Sequence, residues 1–189
     1  MERLGRWSFR GYLPHYDAGS TLQVITFRLA DSLPDYVTKK MLELAKDTAD
    51  FRRQVEKYLD TGYGESLLLK PKHAETVKTA FQHFDGKRYR LNSWVVMPNH
   101  VHVLIEPLHG FPLGKIVSSW KGFTAYEIGR MESGYLKQWS RIWQPEYFDR
   151  YIRNAQHYEA VVRYIEDNPV KAGLVKAASH WIWSSAVGR

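Results

Sequence analysis

The sequence of 189 residues contains no cysteine. This absence excludes disulfides, cysteine nucleophiles and thiolate zinc sites, so any bound metal must use histidine, oxygen or amide ligands. A phosphate-binding glycine loop is absent as well: the Gly-Lys pairs at 86–87 and 114–115 are followed by Arg88 and Ile116, and both lack the upstream glycine at the required offset. We therefore expect no nucleoside triphosphate among the partners.

Long apolar runs are also missing. No segment approaches the ~20 continuous apolar residues of a membrane span. Residues 1–14 carry three arginines but no apolar stretch typical of a secretion signal. We expect a cytoplasmic protein with no membrane partner.

The composition predicts one globular domain with an excess of basic charge. Hydrophobic residues make up 44% and charged residues 25% of the chain, which is typical of a folded protein. The length predicts a single domain over 1–189, with a basic N-terminal segment (1–20) and a C-terminal tail (176–189). Lys and Arg number 27 against 20 acidic residues, a net charge of +7. That excess favours a polyanionic partner, nucleic acid first, although basic charge can also serve solubility alone.

Two histidines separated by one residue stand out in the run MPNHVHVLIEP. On a strand, residues i and i+2 point to the same face, so His100 and His102 converge while Val101 enters the core. Neutral imidazole is a common metal ligand, and the pair would form half of a metal site. The alternative is that they are two strand histidines that share no ligand.

A tyrosine and an asparagine four residues apart form a second pair. Tyr164 and Asn168 lie one turn apart on the same face of a predicted helix. If His100, His102 and Asn168 held a divalent cation, Tyr164 could attack a phosphodiester activated by that ion. The alternative is that Tyr164 is an aromatic residue at the edge of the core and that Asn168 only ends the helix.

Hydrophobic periodicity predicts strands and helices in alternation. Asn154 is a plausible N-cap for the last helix, and Asn168-Pro169 is expected to end it. The pattern favours an α+β fold, an α/β sandwich in which helices flank an antiparallel-rich central sheet. The predicted order is strand, helix, strand, helix, two strands and two helices, over residues 22–29, 34–59, 65–69, 71–84, 88–96, 100–106, 113–128 and 154–168.

Several segments together resemble one protein family. MPNHVHVLIEP, SSWKGFTAYEI, YFDRYIRN and above all YIEDNPVKAGLV are similar to segments of the REP-associated tyrosine transposases, a branch of the HUH single-tyrosine transposases. The resemblance extends to RGYLPHYD and GYGES near the N-terminus, so it covers most of the chain.

The resemblance implies a ferredoxin-like HUH nuclease fold and metal-dependent cleavage and rejoining of single-stranded DNA. It implies that His100, His102 and Asn168 bind Mg²⁺ or Mn²⁺, although ligand chemistry alone would also accept zinc or nickel. Tyr164 would be the nucleophile, forming a 5′-phosphotyrosine and a free 3′-hydroxyl. Related transposases often have glutamine at the position of Asn168, so Glu106 and His109 are alternative ligands.

The implied partner is single-stranded or hairpin DNA, bound by a monomer or a homodimer. Aromatic rings stack on bases while basic side chains follow the backbone. Each candidate can instead be an ordinary solvated charge or a core tryptophan. Two other functions are a catalytically silent hairpin-binding protein and a metal-dependent phosphoester hydrolase. The candidate DNA-binding residues are Arg141, Trp143, Arg150, Arg153, Lys121, Lys171, Arg6 and Arg10.

Overall fold

The computed structural model describes residues 6–9, 14–17, 19–34, 36–39, 49–132 and 141–187. Residues 36–39 are helical. The strands are β1 (Arg6–Phe9), β2 (Pro14–Asp17), β3 (Gln23–Arg28), β4 (Tyr89–Val96), β5 (His100–Pro107) and β6 (Phe148–Tyr151). The longer helices are α1 (Ala49–Asp60), α2 (Pro71–His83), α3 (Leu113–Met131) and α4 (Ala155–Lys171). Two short 3₁₀ helices cover Leu67–Leu69 and Ala178–His180.

The central sheet is antiparallel, with the strand order β4-β5-β3-β6. β5 lies between β4 and β3, and its register places His100 opposite Arg28 and His102 opposite Thr26. A separate two-stranded sheet joins β1 to β2. The predicted α+β architecture, an antiparallel sheet flanked by helices, is confirmed.

The two faces of the central sheet bury different residues. Val101 and Val103 belong to the main core, together with buried side chains of α2 and α3. On the other face, Leu104 packs with Val95 and with Ile165 of α4. Because successive residues of a strand alternate between faces, His100 and His102 lie on the α4 side of the sheet.

The expected strand at 65–69 is wrong. The segment contains the 3₁₀ helix Leu67–Leu69, and Ser66 before it has a left-handed backbone with φ of 50°. Leu67 and Leu68 are both buried, whereas a strand packed on one face would expose one of two successive side chains. The N–H of Leu68 donates to the carbonyl of Pro98, so this turn closes the connection between β4 and β5 rather than adding a strand.

The expected end of the last helix at Asn168-Pro169 is also wrong, because α4 continues to Lys171. Proline removes only its own N–H from the helical hydrogen bonds. The Asn168 carbonyl still accepts from Ala172, and the Pro169 carbonyl accepts from Leu174. The start of the helix is as predicted: the Asn154 side chain caps it by accepting from a backbone N–H at 2.8 Å.

Strands β1, β2 and β6 were not predicted. β2 is attached to the edge of the central sheet through His15, whose buried ring lies 2.6 Å from Asp149 and 3.2 Å from Glu146. The same ring stacks on Tyr147, with ring centroids 4.1 Å apart. The C-terminal tail packs along the edge strand β4, where Ser184 forms an isolated bridge with Val95.

Candidate active site

The two imidazoles meet on the α4 side of the sheet. His100 and His102 are almost completely buried, and their Nε2 atoms are 3.1 Å apart. Their rings are nearly perpendicular, with centroids 4.8 Å apart. The spacing of one residue therefore does bring both rings to one point, as the strand geometry predicts.

The outer nitrogen of each ring has its own partner. His100 Nδ1 donates to the side-chain oxygen of Asn99 at 2.7 Å, and His102 Nδ1 lies 2.7 Å from the Thr26 hydroxyl. Asn99 is held in turn because its amide donates to the carbonyl of Tyr63 at 3.0 Å. Such partners orient imidazoles that bind metals. Because Nδ1 of His100 carries the proton that it donates to Asn99, the Nε2 atom of His100 is an acceptor, and it faces the ring of His102.

Burial keeps both imidazoles neutral. It lowers the pKa of His100 well below its usual value, and the neighbouring His102 lowers it further. Burial lowers the pKa of His102 to about 3, with a further contribution from the positive charge of Lys171. Neutral imidazole is the form that binds a metal, so both side chains are in the binding form at neutral pH.

Helix α4 brings Tyr164 to the same place. Its hydroxyl oxygen lies 3.4 Å from His102 Nε2, and the two rings meet edge to face with centroids 5.2 Å apart. The ammonium of Lys171 lies 4.9 Å from the centre of the Tyr164 ring. The imidazoles and the phenol come from one chain, so the described residues assemble this group of side chains without a partner subunit.

Two carboxylates from α1 lie near the phenol, and the sequence patterns did not single them out. Burial raises the pKa of Tyr164 strongly, and the negative charges of Glu56 and Asp60 raise it further. Glu56 also forms a hydrogen bond with the phenol. Burial raises the pKa of Asp60, while the positive charge of Lys171 opposes that effect. The phenol therefore has an acidic side facing α1 and an imidazole side facing the sheet.

Asn168 lies one turn after Tyr164 and is almost completely buried. Its side chain lies near the Tyr164 phenol and lowers the pKa of that phenol, but its side-chain oxygen has no hydrogen-bond partner. A buried acceptor without a partner costs about 1–3 kcal/mol. A buried oxygen of this kind, one helical turn from a phenol that reaches His102, is a candidate ligand for a cation.

These residues fit a divalent cation. The Nε2 separation of 3.1 Å is shorter than twice a metal–nitrogen bond of about 2.1 Å, so one ion can reach both nitrogens. Across the described ranges, no group of three or more histidine, aspartate or glutamate side chains is arranged to hold a metal. The unpartnered amide oxygen of Asn168 is a candidate third ligand.

The alternative ligands do not reach the imidazoles. Glu106 is four residues along β5 from His102, about 13 Å at the usual rise of a strand. Its carboxylate accepts from Arg90 at 2.8 Å. His109 is exposed in the loop that follows β5.

The candidate DNA-binding residues have different environments. Trp143 is in the core, and its indole N–H donates to the Thr124 hydroxyl at 2.8 Å, so its ring is not available to stack on a base. The Lys121 ammonium donates to the carbonyls of Gln144 and Pro145. Burial lowers the pKa of Lys121 to about 8.

The other basic candidates differ in what the structure describes. Arg141, Arg150, Arg153 and Lys171 are exposed. The backbone of Arg6 lies in β1, whereas Arg10 lies outside the described residues.

Among the helices that the structure describes, none is both long and apolar enough to cross a bilayer.

Comparison with known proteins adds three relatives. A REP-associated tyrosine transposase of Escherichia coli (strain K12) is 34% identical over 97 residues, which cover 51% of this chain and 54% of that protein. An uncharacterized protein of Haemophilus influenzae is 30% identical over 100 residues, covering 43% of this chain and 54% of that protein. The chain thus spans about half the length of these curated relatives. A solved structure of a REP-associated tyrosine transposase bound to a REP hairpin has a TM-score of 0.57 at 20% identity, covering 94% of this chain and 81% of that one.

The fold is therefore shared with a tyrosine transposase. The family model described as "Transposase IS200 like" matches residues 62–168, more than half of the chain. The chain belongs to the IS200-like transposase family, and the resemblance drawn from the sequence motifs is confirmed. The matched segment begins at residue 62, next to Tyr63, whose carbonyl accepts a hydrogen bond from Asn99, and it ends at Asn168.

Proposed function

We propose that this protein cleaves and rejoins single-stranded DNA next to a hairpin, using Tyr164 as the nucleophile. The single observation that carries the proposal is the 3.4 Å distance between the Tyr164 hydroxyl and the Nε2 atom of His102, beside the facing Nε2 atom of His100. Membership of the IS200-like family supports a transposase function. Hairpin DNA is supported as the partner because the similar solved structure is that of a REP-associated tyrosine transposase bound to a REP hairpin.

The proposed reaction exchanges one phosphoester for another. The phenolic oxygen of Tyr164 forms a bond to phosphorus, the bond from phosphorus to the 3′ oxygen breaks, and the 3′-hydroxyl leaves with a proton. The downstream fragment stays attached to the tyrosine through the phosphate at its 5′ end. Attack by a 3′-hydroxyl reverses these steps and rejoins a strand, so the reaction needs no nucleotide cofactor.

The proposed metal ligands are His100, His102 and Asn168, and the proposed ion is Mg²⁺ or Mn²⁺. When bound, the ion would polarise a phosphodiester oxygen and offset its negative charge. This set of donors contains two imidazole nitrogens, which suit zinc, and one amide oxygen, which suits magnesium or manganese. The unpartnered oxygen of Asn168 supports a cation that accepts oxygen ligands.

Other groups at the site would position the strand. The Lys171 ammonium lies over the Tyr164 ring and can approach the phosphate as it nears the phenol. Thr26 and Asn99 orient the imidazoles. Arg150 and Arg153, which are exposed just before α4, remain candidate contacts to the phosphate backbone.

The experiment uses a labelled hairpin oligonucleotide with a single-stranded flank, incubated with Mn²⁺ and separated under denaturing conditions. We expect a covalent adduct with the unaltered protein and none with Tyr164→Phe. Tyr158→Phe is the matched control, because Tyr158 is on the same helix and its hydroxyl only reaches Asn92 at 3.4 Å. A catalytically silent hairpin-binding protein would retain the DNA without an adduct, and a hydrolase using water would cleave it equally well after Tyr164→Phe.

A further inference from the structure

The GYGES segment (residues 62–66) follows α1 closely and contacts the turn between β4 and β5. The carbonyl of Tyr63 accepts a hydrogen bond from the Asn99 amide at 3.0 Å, and the side-chain oxygen of Asn99 accepts from His100 Nδ1 at 2.7 Å. Asn99 is fully buried, so water does not compete for either bond. The segment therefore reaches a proposed metal ligand through one side chain.

The direction of each of these hydrogen bonds follows from the one before it. A backbone carbonyl can only accept, so the contact with Tyr63 requires the NH₂ group of Asn99 to face the GYGES segment. The oxygen of the same amide then faces His100, and it too can only accept. Nδ1 of His100 must therefore carry the proton, and Nε2 keeps the lone pair that binds a metal. The position of one carbonyl thus determines the tautomer of His100.

The second imidazole has a different kind of partner. His102 Nδ1 lies 2.7 Å from the Thr26 hydroxyl. A hydroxyl can rotate and can either donate or accept, so this contact is compatible with both tautomers of His102. The contact with Asn99 permits only one tautomer of His100, and this difference points to a specific role for the GYGES segment.

Asp31 holds the GYGES segment in place. Its carboxylate accepts from the backbone N–H of Glu65 at 2.7 Å. Gly64 has φ of 92° and packs so closely that a Cβ would lie 2.7 Å from the Asp31 carbonyl oxygen. Asp31 lies three residues after Arg28, the residue paired with His100 in the β3–β5 register. The segment is therefore fixed to the strand that lies beside the imidazoles.

The ends of the GYGES segment are also bonded. The N–H of Gly62 donates to the carbonyl of Leu59 at the end of α1, and the Ser66 hydroxyl donates to the carbonyl of Gly62 at 3.1 Å. The ring of Tyr63, in contrast, is 48% exposed. The segment thus positions the Tyr63 carbonyl through its backbone and through Asp31, and the Tyr63 ring is not needed for this.

We propose that the GYGES segment and Asp31 set the tautomer of His100 through Asn99, so that the Nε2 atom of His100 can bind a metal ion as soon as one enters. The inference rests on the proposed function only in taking His100 as a metal ligand. Asp31, Gly64 and Asn99 are positioning residues, because they act through the imidazole and do not touch the ion. Hydrogen-bond partners of metal-binding histidines typically contribute about 10–100-fold to metal affinity.

NMR of the metal-free protein with isotope-labelled histidine tests the proposal, because it distinguishes protonated from unprotonated ring nitrogens. The signals of His100 are assigned by their absence in His100→Gln. We expect the unaltered protein to show a single tautomer of His100, with the proton on Nδ1. Gly64→Ala displaces the segment and Asp31→Ala releases it without a steric clash, so both variants should show a mixture of the two tautomers.

Three variants are controls. Asp31→Asn keeps an oxygen that accepts from the Glu65 N–H and should restore the single tautomer. Tyr63→Ala keeps the backbone carbonyl and should show the single tautomer of the unaltered protein. Gly86→Ala replaces another glycine of positive φ, where a Cβ would meet no atom within 4 Å, and it should leave His100 unchanged.

Calorimetric titration with Mn²⁺ then measures the consequence for binding. We expect Gly64→Ala and Asp31→Ala to bind Mn²⁺ about tenfold more weakly than the unaltered protein, and the three controls to bind it normally. A single His100 tautomer in both Gly64→Ala and Asp31→Ala, or a mixture of tautomers without weaker Mn²⁺ binding, would overturn the proposal. An equal effect of Tyr63→Ala would overturn it as well.

The tautomer is measured without DNA, so this test is separate from that of the proposed function. If the unaltered protein forms no DNA adduct but the His100 tautomer depends on Asp31, the proposed function fails and this inference holds. If the adduct forms on Tyr164 but the tautomer is unchanged in Gly64→Ala and Asp31→Ala, only this inference fails.

Discussion

Replacing Asn168 with leucine should stabilise the metal-free protein while removing its response to metal. The Asn168 side-chain oxygen is buried without a partner, and removing that acceptor recovers about 1–3 kcal/mol of desolvation cost. The favourable polar interaction of the amide with the Tyr164 phenol is lost at the same time, at a cost of about 0.5–1.5 kcal/mol. Leucine also favours a helix by a few tenths of a kcal/mol. The net stabilisation is about 1 kcal/mol, which corresponds to a rise in Tm of roughly 2–4 °C for a domain of this size.

Thermal unfolding in EDTA and in Mn²⁺ measures both effects. A metal at about 100 times its Kd stabilises the unaltered protein by about 2.7 kcal/mol. If loss of the amide ligand weakens binding about 100-fold, the same metal concentration adds only about 0.4 kcal/mol. Asn168→Leu should therefore have a higher Tm than the unaltered protein in EDTA and a much smaller rise in Mn²⁺.

Asn99→Leu is the matched control. Asn99 is equally buried, but its amide oxygen and nitrogen are both bonded, to His100 and to the Tyr63 carbonyl. Its replacement leaves the buried Nδ1–H of His100 unpaired, removes the bond to the Tyr63 carbonyl and should destabilise the protein by about 1–3 kcal/mol. If Asn168→Leu lowers the Tm in EDTA as much as Asn99→Leu does, the oxygen is not an unpartnered acceptor. If Mn²⁺ raises the Tm of Asn168→Leu as much as that of the unaltered protein, Asn168 is not a ligand.

Three further changes test other parts of the site and fold. Glu56→Gln removes a negative charge that raises the pKa of Tyr164, so the pH profile of adduct formation should move to lower pH; a profile that does not move would remove Glu56 from the site. Burial opposes protonation of His15, but hydrogen bonds and attraction from its two carboxylate partners raise its pKa above 6.5. Protection of the β2 amides, corrected for the intrinsic pH dependence of hydrogen exchange, should thus be greatest below pH 6.5 and fall as pH rises through the raised value. The same fall in corrected protection in His15→Gln would refute this. Gly64→Ala should destabilise the protein more than Gly86→Ala in denaturant titrations. Both glycines have positive φ, but only at Gly64 would a Cβ lie 2.7 Å from a backbone oxygen, that of Asp31. Equal losses of stability in the two variants would show that the backbone around Asp31 can move aside.

Local patterns predicted the parts of the site that depend on short spacings. The separation of His100 and His102 on a strand, and that of Tyr164 and Asn168 on a helix, each determine which side chains share a face. The β3–β5 pairing and the packing of α4 then bring the two faces together. The resemblance to tyrosine transposases links these two pairs at the level of the sequence.

The remaining parts depend on contacts between distant segments. Glu56 and Asp60 precede Tyr164 by about a hundred residues, and no periodic pattern indicates which face of α1 meets the phenol. The strands β2 and β6 have only four residues each, too few for a reliable alternation of burial. Trp143 looked like a base-stacking residue among basic neighbours, but the bridge from this residue to Leu29 places its ring in the core.

The role of Tyr164 as nucleophile can be decided by identifying the residue that carries DNA after the reaction. The protein would be incubated with a flanked hairpin and Mn²⁺, digested with a nuclease and a protease, and its peptides examined by mass spectrometry. We expect a 5′-linked nucleotide on Tyr164, and no linked nucleotide in Tyr164→Phe. DNA cleavage with the label on another side chain, or cleavage that continues at the same rate without the phenol, would contradict the proposed mechanism.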